Sequence, residues 1–430
     1  MNLKRFLCLL ILAFVSTAMY GQTSIPLKYD FGAGATAKGY TQVLPESIYS
    51  AEKGYGFWSG ASLQSIDTKK GGPLKRDFIS SKKPFYFSVN LPEGDYDVIV
   101  TFGDKNGTSS QTIRAESRRF MLQNITTKHT EVKTGKFTVH MHTLDIANSD
   151  KKVLITPREL NFFHWDNQLT LEFNGTEPKI AGVEFKRNQK AVTVFLAGNS
   201  TVVDQDKEPW AAWGQMIPVF FKPGKVSIAN YAESGETMLA FKRELRLEKI
   251  WSLAKPGDYL FIEFGHNDQK TGINHLDPFT TYKETLIEWV NEARKRKMIP
   301  ILVSSMGRRS FDPTGKAKNT LGDYPEAVRR AGKEANAPVI DLNAMSMTLY
   351  EAWGPINSAK GFVDGSHANV YGAWQLAKCI AEGIKQSVPG LAKYLLPEFN
   401  KTFNPTTPDP FDTPNWPLSP QVSNIKPPGS

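Results

Sequence analysis

Two cysteines in 430 residues are too few for a disulfide framework. Cys8 falls inside an apolar leader, which leaves Cys379 alone in the helix-like run LAKCIAEGI, where a buried small hydrophobe is the expected role rather than a reactive thiol. Beyond the first residues there is no long apolar run to span a membrane or to form the apolar lid of a lipid-processing enzyme. No dense basic tract with interleaved aromatics is present, which argues against nucleic acid as a partner. His164 and His275 have no partner spacing that points to a metal site. No internal repeat occurs, so a solenoid is excluded.

What is present begins with MNLKRFLCLLILAFVSTAMYGQ: Lys4 and Arg5, an apolar stretch, then small residues near Ala18 and Gly21. This is the layout of a secretory signal over residues 1–21, so the protein is expected to be exported, periplasmic or extracellular. Cys8 sits too early for a lipoprotein. The formal net charge of +9 becomes +7 without Lys4 and Arg5, a balance that favours acidic partners such as an anionic polysaccharide. At this length two domains are expected.

The two halves carry different periodicities. Over residues 24–190, short alternating or β-branched runs (PFYFSVNL, YDVIVTFG, KFTVHMHTL, QLTLEFN, AGVEFKRN) are separated by the turn signals PEGD, DKNG and FNGTEP. Such spacing predicts an all-β sandwich, jelly-roll-like, with Trp58 and Tyr55 either in its core or lining a glycan groove. Over residues 191–400, five apolar strands (VTVFLAG, KVSIANYA, DYLFIEFG, PILVSSM, PVIDLN) alternate with helical segments, among them TMLAFKRELRLEKIWSLA, TYKETLIEWVNEARKRK, EAVRRAGKEAN and NVYGAWQLAKCIAEGIKQ. Helices between buried strands predict an α/β fold: a parallel sheet covered on both faces, with ligands at the carboxyl ends of its strands. The proline-rich segment 401–430 is expected to lie over the surface or to be partly disordered.

Polar groups cluster at those strand ends. The first strand runs into Gly198-Asn199-Ser200-Thr201, the second into Asn230-Tyr-Ala-Glu-Ser-Gly235, and the third into Gly265-His266-Asn267-Asp268; Asp364-Gly-Ser-His367 precedes the last helix. Each motif alone is an ordinary turn. Together they supply a hydroxyl, a base and a carboxylate: Asp364 can pair with His367 across a tight turn and deliver the imidazole to Ser200. The amides of Ser200 and Gly235 and the side chain of Asn267 are candidate donors to an oxyanion. Asp268 is expected to hold its loop.

These four blocks, in this order from Ala191 to about Leu396, resemble the SGNH (GDSL-type) hydrolases. NYAESG, FGHND, and Asp-x-x-His followed by Asn369 and Gly372 resemble in particular the rhamnogalacturonan acetylesterases. KYDFGAGATAKGYTQV and the later KGYGF resemble the galactose-binding-like β-sandwich of bacterial members. The resemblance implies a three-layer α/β/α domain with Ser200 as nucleophile, His367 as general base and acid, and Asp364 as its partner. Ser200, Gly235 and Asn267 would form the oxyanion hole. It implies a serine esterase that removes O-acetyl groups from pectic rhamnogalacturonan through an acetyl-enzyme, without metal or other cofactor. Two positions depart from the family pattern: Asn199 stands where Asp is usual, and Glu236-Thr237 where Arg-Ser is frequent.

Acetylated pectic poly- or oligosaccharide is therefore the expected partner, with His266, Glu236 and Trp210 as candidate substrate contacts. For His266 and Trp210 a structural role is the favoured alternative, Trp210 and Trp213 by helix packing against the sheet. The competing functions are deacetylation of another glycan such as xylan, a broad short-chain esterase, and a catalytically weak glycan-binding protein.

Overall fold

A computed structural model describes residues 27–412, 415–423 and 425. The leader on which the expectation of export rests lies outside them. The amino-terminal part is a sandwich of two largely antiparallel sheets. One has the strand order Val132–Met141, Gly94–Gly103, Lys179–Arg187, Lys28–Phe31, Thr41–Val43, with Asp77–Ser80 and Gln64–Asp67 added at the end of Lys179–Arg187. The other has the order Tyr55–Phe57, Phe85–Asn90, Gln168–Glu177, Ser109–Ala115, Arg119–Thr127. Alternation along these strands points Tyr29, Phe31, Phe57, Phe85, Phe87 and Phe173 into the space between the sheets. Their rings meet mostly edge-on or tilted, at centroid distances of 4.9 to 6.3 Å, the geometry aromatic quadrupoles favour. FNGTEP does not form a turn as a whole: the strand continues through Glu177 by means of a bulge after Asn174. Trp58 is no core residue. The residue is 37 % exposed, its ring edge-on to Phe163, with Nε1 donating to Ser88 Oγ.

The second part is a three-layer α/β/α domain on a five-stranded parallel sheet. The spatial order is Val226–Asn230, Val192–Gly198, Tyr259–Glu263, Ile299–Val303, Val339–Ile340. Chain order is thus 2-1-3-4-5, and the topological switch falls between the first and third strands, where a crevice opens at the carboxyl edge. Helices Met238–Arg243, Arg246–Leu253, Lys283–Lys295 and Tyr324–Glu334 contribute to one buried apolar layer. Leu342–Asn357 and Val370–Ser387 contribute to the other, where Cys379 is fully buried and its thiol pKa is pushed up by burial. The single helix expected in TMLAFKRELRLEKIWSLA is two, because Leu245 takes a left-handed conformation at φ 63°.

The two parts share an extensive seam. Arg118 and Arg119, at the head of a sandwich strand, reach under the loop that follows the first parallel strand. Arg119 pairs with Asp204 (3.0 Å), and Arg118 pairs with Glu208 (2.6 Å) and donates to the carbonyls of Gln205 and Trp210. The carboxyl-terminal segment is set into this seam rather than laid over the surface. Arg114 donates to Pro417 O, Asn174 to Leu418 O, and Ser419 Oγ to Glu172, while Glu208 N donates to Gln421 O and Trp210 Nε1 to Ser423 O. Trp416 fills the space between Phe120 of the sandwich (4.9 Å) and Trp374 of the last long helix (4.7 Å). Trp416→Ala should therefore destabilise the protein by about 3–5 kcal/mol, the usual cost of emptying a buried aromatic site. Denaturant unfolding checks this; an unchanged midpoint would mean that the segment does not hold the seam.

Candidate active site

Ser200 follows the buried strand Val192–Gly198 directly, at the carboxyl edge of the sheet. Its turn closes because Asn199 O accepts the N–H groups of Val202 and Val203, while Asn199 Oδ1 accepts Thr201 N and lies 3.0 Å from Thr201 Oγ1. Asp364 opens a second tight turn: its Oδ1 accepts both Ser366 N and His367 N at 2.7 Å. That turn lays the imidazole back on the carboxylate, with His367 Nδ1 at 3.1 and 3.0 Å from the two oxygens. The far nitrogen, Nε2, then lies 2.9 Å from Ser200 Oγ. Burial alone would raise the Asp364 carboxyl, but the bonds from the His367 ring and the two backbone amides outweigh it and hold the group well below the ordinary carboxylate range. A carboxylate that stays ionised keeps the imidazole proton on Nδ1 and leaves Nε2 to take the serine proton.

The remaining blocks lie in the loops after the second and third strands, tied to one another and to the first-strand loop. Gly235 sits at φ +89°, a conformation costly for residues with a Cβ. Among the described residues, neither its N–H nor that of Ser200 makes a hydrogen bond within the protein. Asn267 is buried, and one hydrogen of its Nδ2 goes to Glu236 O at 3.0 Å, which leaves the second for an oxyanion. Asp268 fixes the loop by accepting Met238 N and Gly265 N, both at 2.8 Å. Asn230 joins the second block to the first through Val202 O (2.8 Å) and Asp204 (2.9 Å). Asn267→Ala should lower kcat about 10²–10³-fold, as removal of one oxyanion donor does elsewhere. Steady-state kinetics on a small acetyl ester checks this; a change of less than threefold would remove Asn267 from the hole.

Of the candidate substrate contacts, Glu236 is displaced. It is 4 % exposed, and its side chain turns inward toward Glu244 and Arg246, where burial raises its pKa against the pull of Arg246. Only its carbonyl serves the site, by orienting Asn267. Trp210 is also buried. It packs edge-on against His367 at 5.7 Å and so backs the imidazole rather than lining a sugar site. His266 is 4 % exposed and is kept neutral by burial first and then by the charges of Arg308, His367 and Lys270.

One residue of the site was not singled out from sequence. Glu263, the charged end of the strand YLFIE, lies buried below the nucleophile turn. Trp213 Nε1 donates to its Oε2 at 2.6 Å, and Thr201 Oγ1 lies 3.0 Å from its Oε1. The Thr201 hydroxyl thus touches two acceptors, Asn199 Oδ1 and Glu263 Oε1, and can donate to only one. An aspartate at 199 would place a second carboxylate on the same hydroxyl; asparagine supplies the acceptor without the charge. Burial lifts Glu263 from 4.5 to about 7, against bonds from Trp213, Thr201 and Met306. Because the folded pKa lies above the unfolded one, this group's stabilisation is complete below about pH 4.5 and fades as pH rises to 7. Glu263→Gln copies the protonated form permanently. Its gain in melting temperature over the wild type should be small at pH 5 and larger at pH 8; a gain that shrinks from pH 5 to pH 8 contradicts the buried-proton reading.

A parallel sheet of order 2-1-3-4-5 with a hydrogen-bonded Ser–His–Asp set at its carboxyl edge is the arrangement of a serine hydrolase of the SGNH type. Two family descriptions match the chain: "Beta-agarase/YXIM esterase-like, galactose-binding domain-like" over residues 27–159 and "GDSL-like Lipase/Acylhydrolase family" over residues 196–374. Rhamnogalacturonan acetylesterase RhgT of Bacillus subtilis (strain 168) is 39% identical over 215 residues, covering 46% of this chain and 91% of that protein. Uncharacterized esterase YxiM of the same organism is 26% identical over 373 residues, covering 84% of this chain and 90% of its own length. A crystal structure of B. subtilis YxiM aligns with TM-score 0.45 and 25% identity, over 85% of this chain and 99% of that one. The chain belongs to the GDSL-like lipase/acylhydrolase family, with an amino-terminal galactose-binding-like domain, and is an acetylesterase of the SGNH type.

Proposed function

We propose that this protein is an exported esterase that removes O-acetyl groups from pectic rhamnogalacturonan, with Ser200, His367 and Asp364 as its catalytic residues. The observation that carries the reading is the hydrogen-bonded path from Asp364 through His367 to Ser200 Oγ, in a domain 39% identical to a rhamnogalacturonan acetylesterase. Ser200 Oγ attacks the acetyl carbonyl carbon as His367 Nε2 takes the hydroxyl proton. The tetrahedral oxyanion accepts hydrogen bonds from Ser200 N, Gly235 N and Asn267 Nδ2. As it collapses, the bond to the sugar oxygen breaks and His367 returns its proton to that oxygen, leaving acetyl-Ser200. Water, deprotonated by His367, attacks the acetyl group in turn, and acetate leaves as Ser200 recovers its proton. Every proton in this route is carried by His367, so it calls for no cofactor.

Acetate release from acetylated rhamnogalacturonan and from acetylated xylan, measured side by side, tests the substrate. The reading expects the pectic polymer to react faster. Xylan deacetylated far faster than the pectic polymer would replace it with the acetylxylan alternative, and release from neither would leave the short-chain esterase and glycan-binding alternatives, which a small acetyl ester separates.

A further inference from the structure

We infer that Arg308 is a specificity residue that binds a uronate carboxylate of the substrate chain near the scissile ester; this rests on the substrate reading proposed above. Three observations carry it. The first is position. The loop after the fourth parallel strand lies against the catalytic turn, since Arg309 N donates to Gly365 O at 2.8 Å, between Asp364 and His367 in sequence. From that loop the Arg308 guanidinium crosses to the third-strand loop and donates to His266 O at 3.1 Å, one residue before Asn267. It therefore spans the gap between the two loops that hold the base and an oxyanion donor.

The second observation is electrostatic. The guanidinium is half-buried, and its protein partners are neutral carbonyls, those of His266 and of Thr320 (3.3 Å). Among the described residues no carboxylate pairs with it. Cations withdrawn from water are ordinarily matched by an anion. The fully buried arginines follow that rule: Arg114 pairs with Glu172, Arg118 with Glu208, Arg119 with Asp204 and Arg246 with Glu159. Arg308 shares its lack of a carboxylate partner with the half-buried Arg309 beside it, and of the two it is Arg308 whose guanidinium reaches the third-strand loop.

The third is the geometry of the donor. A guanidinium presents five N–H groups in a planar fork. The two carbonyls engage Nη1 and Nη2 singly, so the fork keeps N–H groups for a planar two-oxygen acceptor such as a uronate carboxylate. A neutral glycan would offer only hydroxyls there and would leave the charge uncompensated.

The test compares wild-type, Arg308→Gln and Arg308→Lys enzymes on acetylated rhamnogalacturonan oligosaccharides and on the same oligosaccharides with their carboxyl groups reduced to alcohols. Wild type should prefer the acidic substrate, and Arg308→Gln should erase roughly 10–100-fold of that preference, mainly through KM, as expected for loss of one desolvated charge pair. Arg308→Lys, which keeps the charge but not the fork, should recover part of it. Raising the salt concentration should erode the wild-type preference and leave that of Arg308→Gln unchanged. Equal losses of Arg308→Gln on both substrates would mean that Arg308 supports the fold or the reaction itself, and would overturn the assignment. So would a wild-type enzyme indifferent to carboxyl reduction, an outcome that leaves rhamnogalacturonan deacetylation standing. A wild type inactive on both substrates would reject the substrate reading and the carboxylate assignment together.

Discussion

Ser200→Ala is expected to lower kcat by about 10⁶-fold, since removing the nucleophile of a serine relay costs as much as removing the whole relay. The geometry explains why no neighbour can substitute. Thr201 is adjacent, but its hydroxyl sits between Asn199 Oδ1 and Glu263 Oε1, below the turn and without an imidazole. Ser234 Oγ is contacted by Gln205 Nε2 at 3.4 Å, and among the described residues no general base hydrogen-bonds to it. His367→Ala should cost about as much, and the double variant little more than either single one, because the two act as one unit. Initial rates on a small acetyl ester suffice to check this. Additive losses would show that Ser200 and His367 do not share a step.

Asp364→Asn is expected to cost about 10⁴-fold in kcat with the fold intact. The Asp364 Oδ1 that accepts Ser366 N and His367 N can be replaced by an amide oxygen, so the turn survives. The interaction that cannot survive unchanged is with His367 Nδ1. An amide oxygen committed to the two backbone N–H groups leaves an NH₂ facing the ring, which favours the proton on Nε2, the nitrogen that must accept from Ser200. Thermal unfolding near that of the wild type, together with the kinetic loss, would separate orientation of the base from stability. A loss under tenfold would mean that the carboxylate only builds the turn.

Much of this architecture is legible in the chain. The five parallel strands are apolar runs bounded by turn residues, and they are buried as their composition demands. The relay is legible because Asp364 and His367 are three residues apart and Ser200 ends a strand. The helix Leu342–Asn357 was harder to see: Gly354 and Pro355 break its end, and its face carries Asn343, Ser346 and Thr348 among the apolar residues. Strands Ser109–Ala115 and Arg119–Thr127 were obscured by polar residues buried in pairs, such as Ser109 with Thr127 and Arg114 with Glu172, which disrupt hydrophobic alternation.

The least legible features depend on contacts between distant segments. Glu236 resembles an exposed loop acid until Arg246, ten residues on, folds back beside it. Arg118 and Arg119 carry no sequence signal of their own, yet they hold the loop that bears Ser200 from the other domain. The proline-rich end has no periodicity to mark it as structural; its anchors are Trp416 and the carbonyls of Pro417 and Leu418, which meet donors some 240 to 300 residues away. Asn199 is explained only by Glu263, which reaches the same hydroxyl from the neighbouring strand.

Trapping the acyl-enzyme tests the central claim most directly. The protein, mixed with excess acetylated rhamnogalacturonan oligosaccharide and quenched in acid during turnover, should carry one acetyl group, located by peptide mass spectrometry on Ser200 and absent from Ser200→Ala. Acetate released at the wild-type rate with no label on Ser200, or with the acetyl on another residue, would contradict the account.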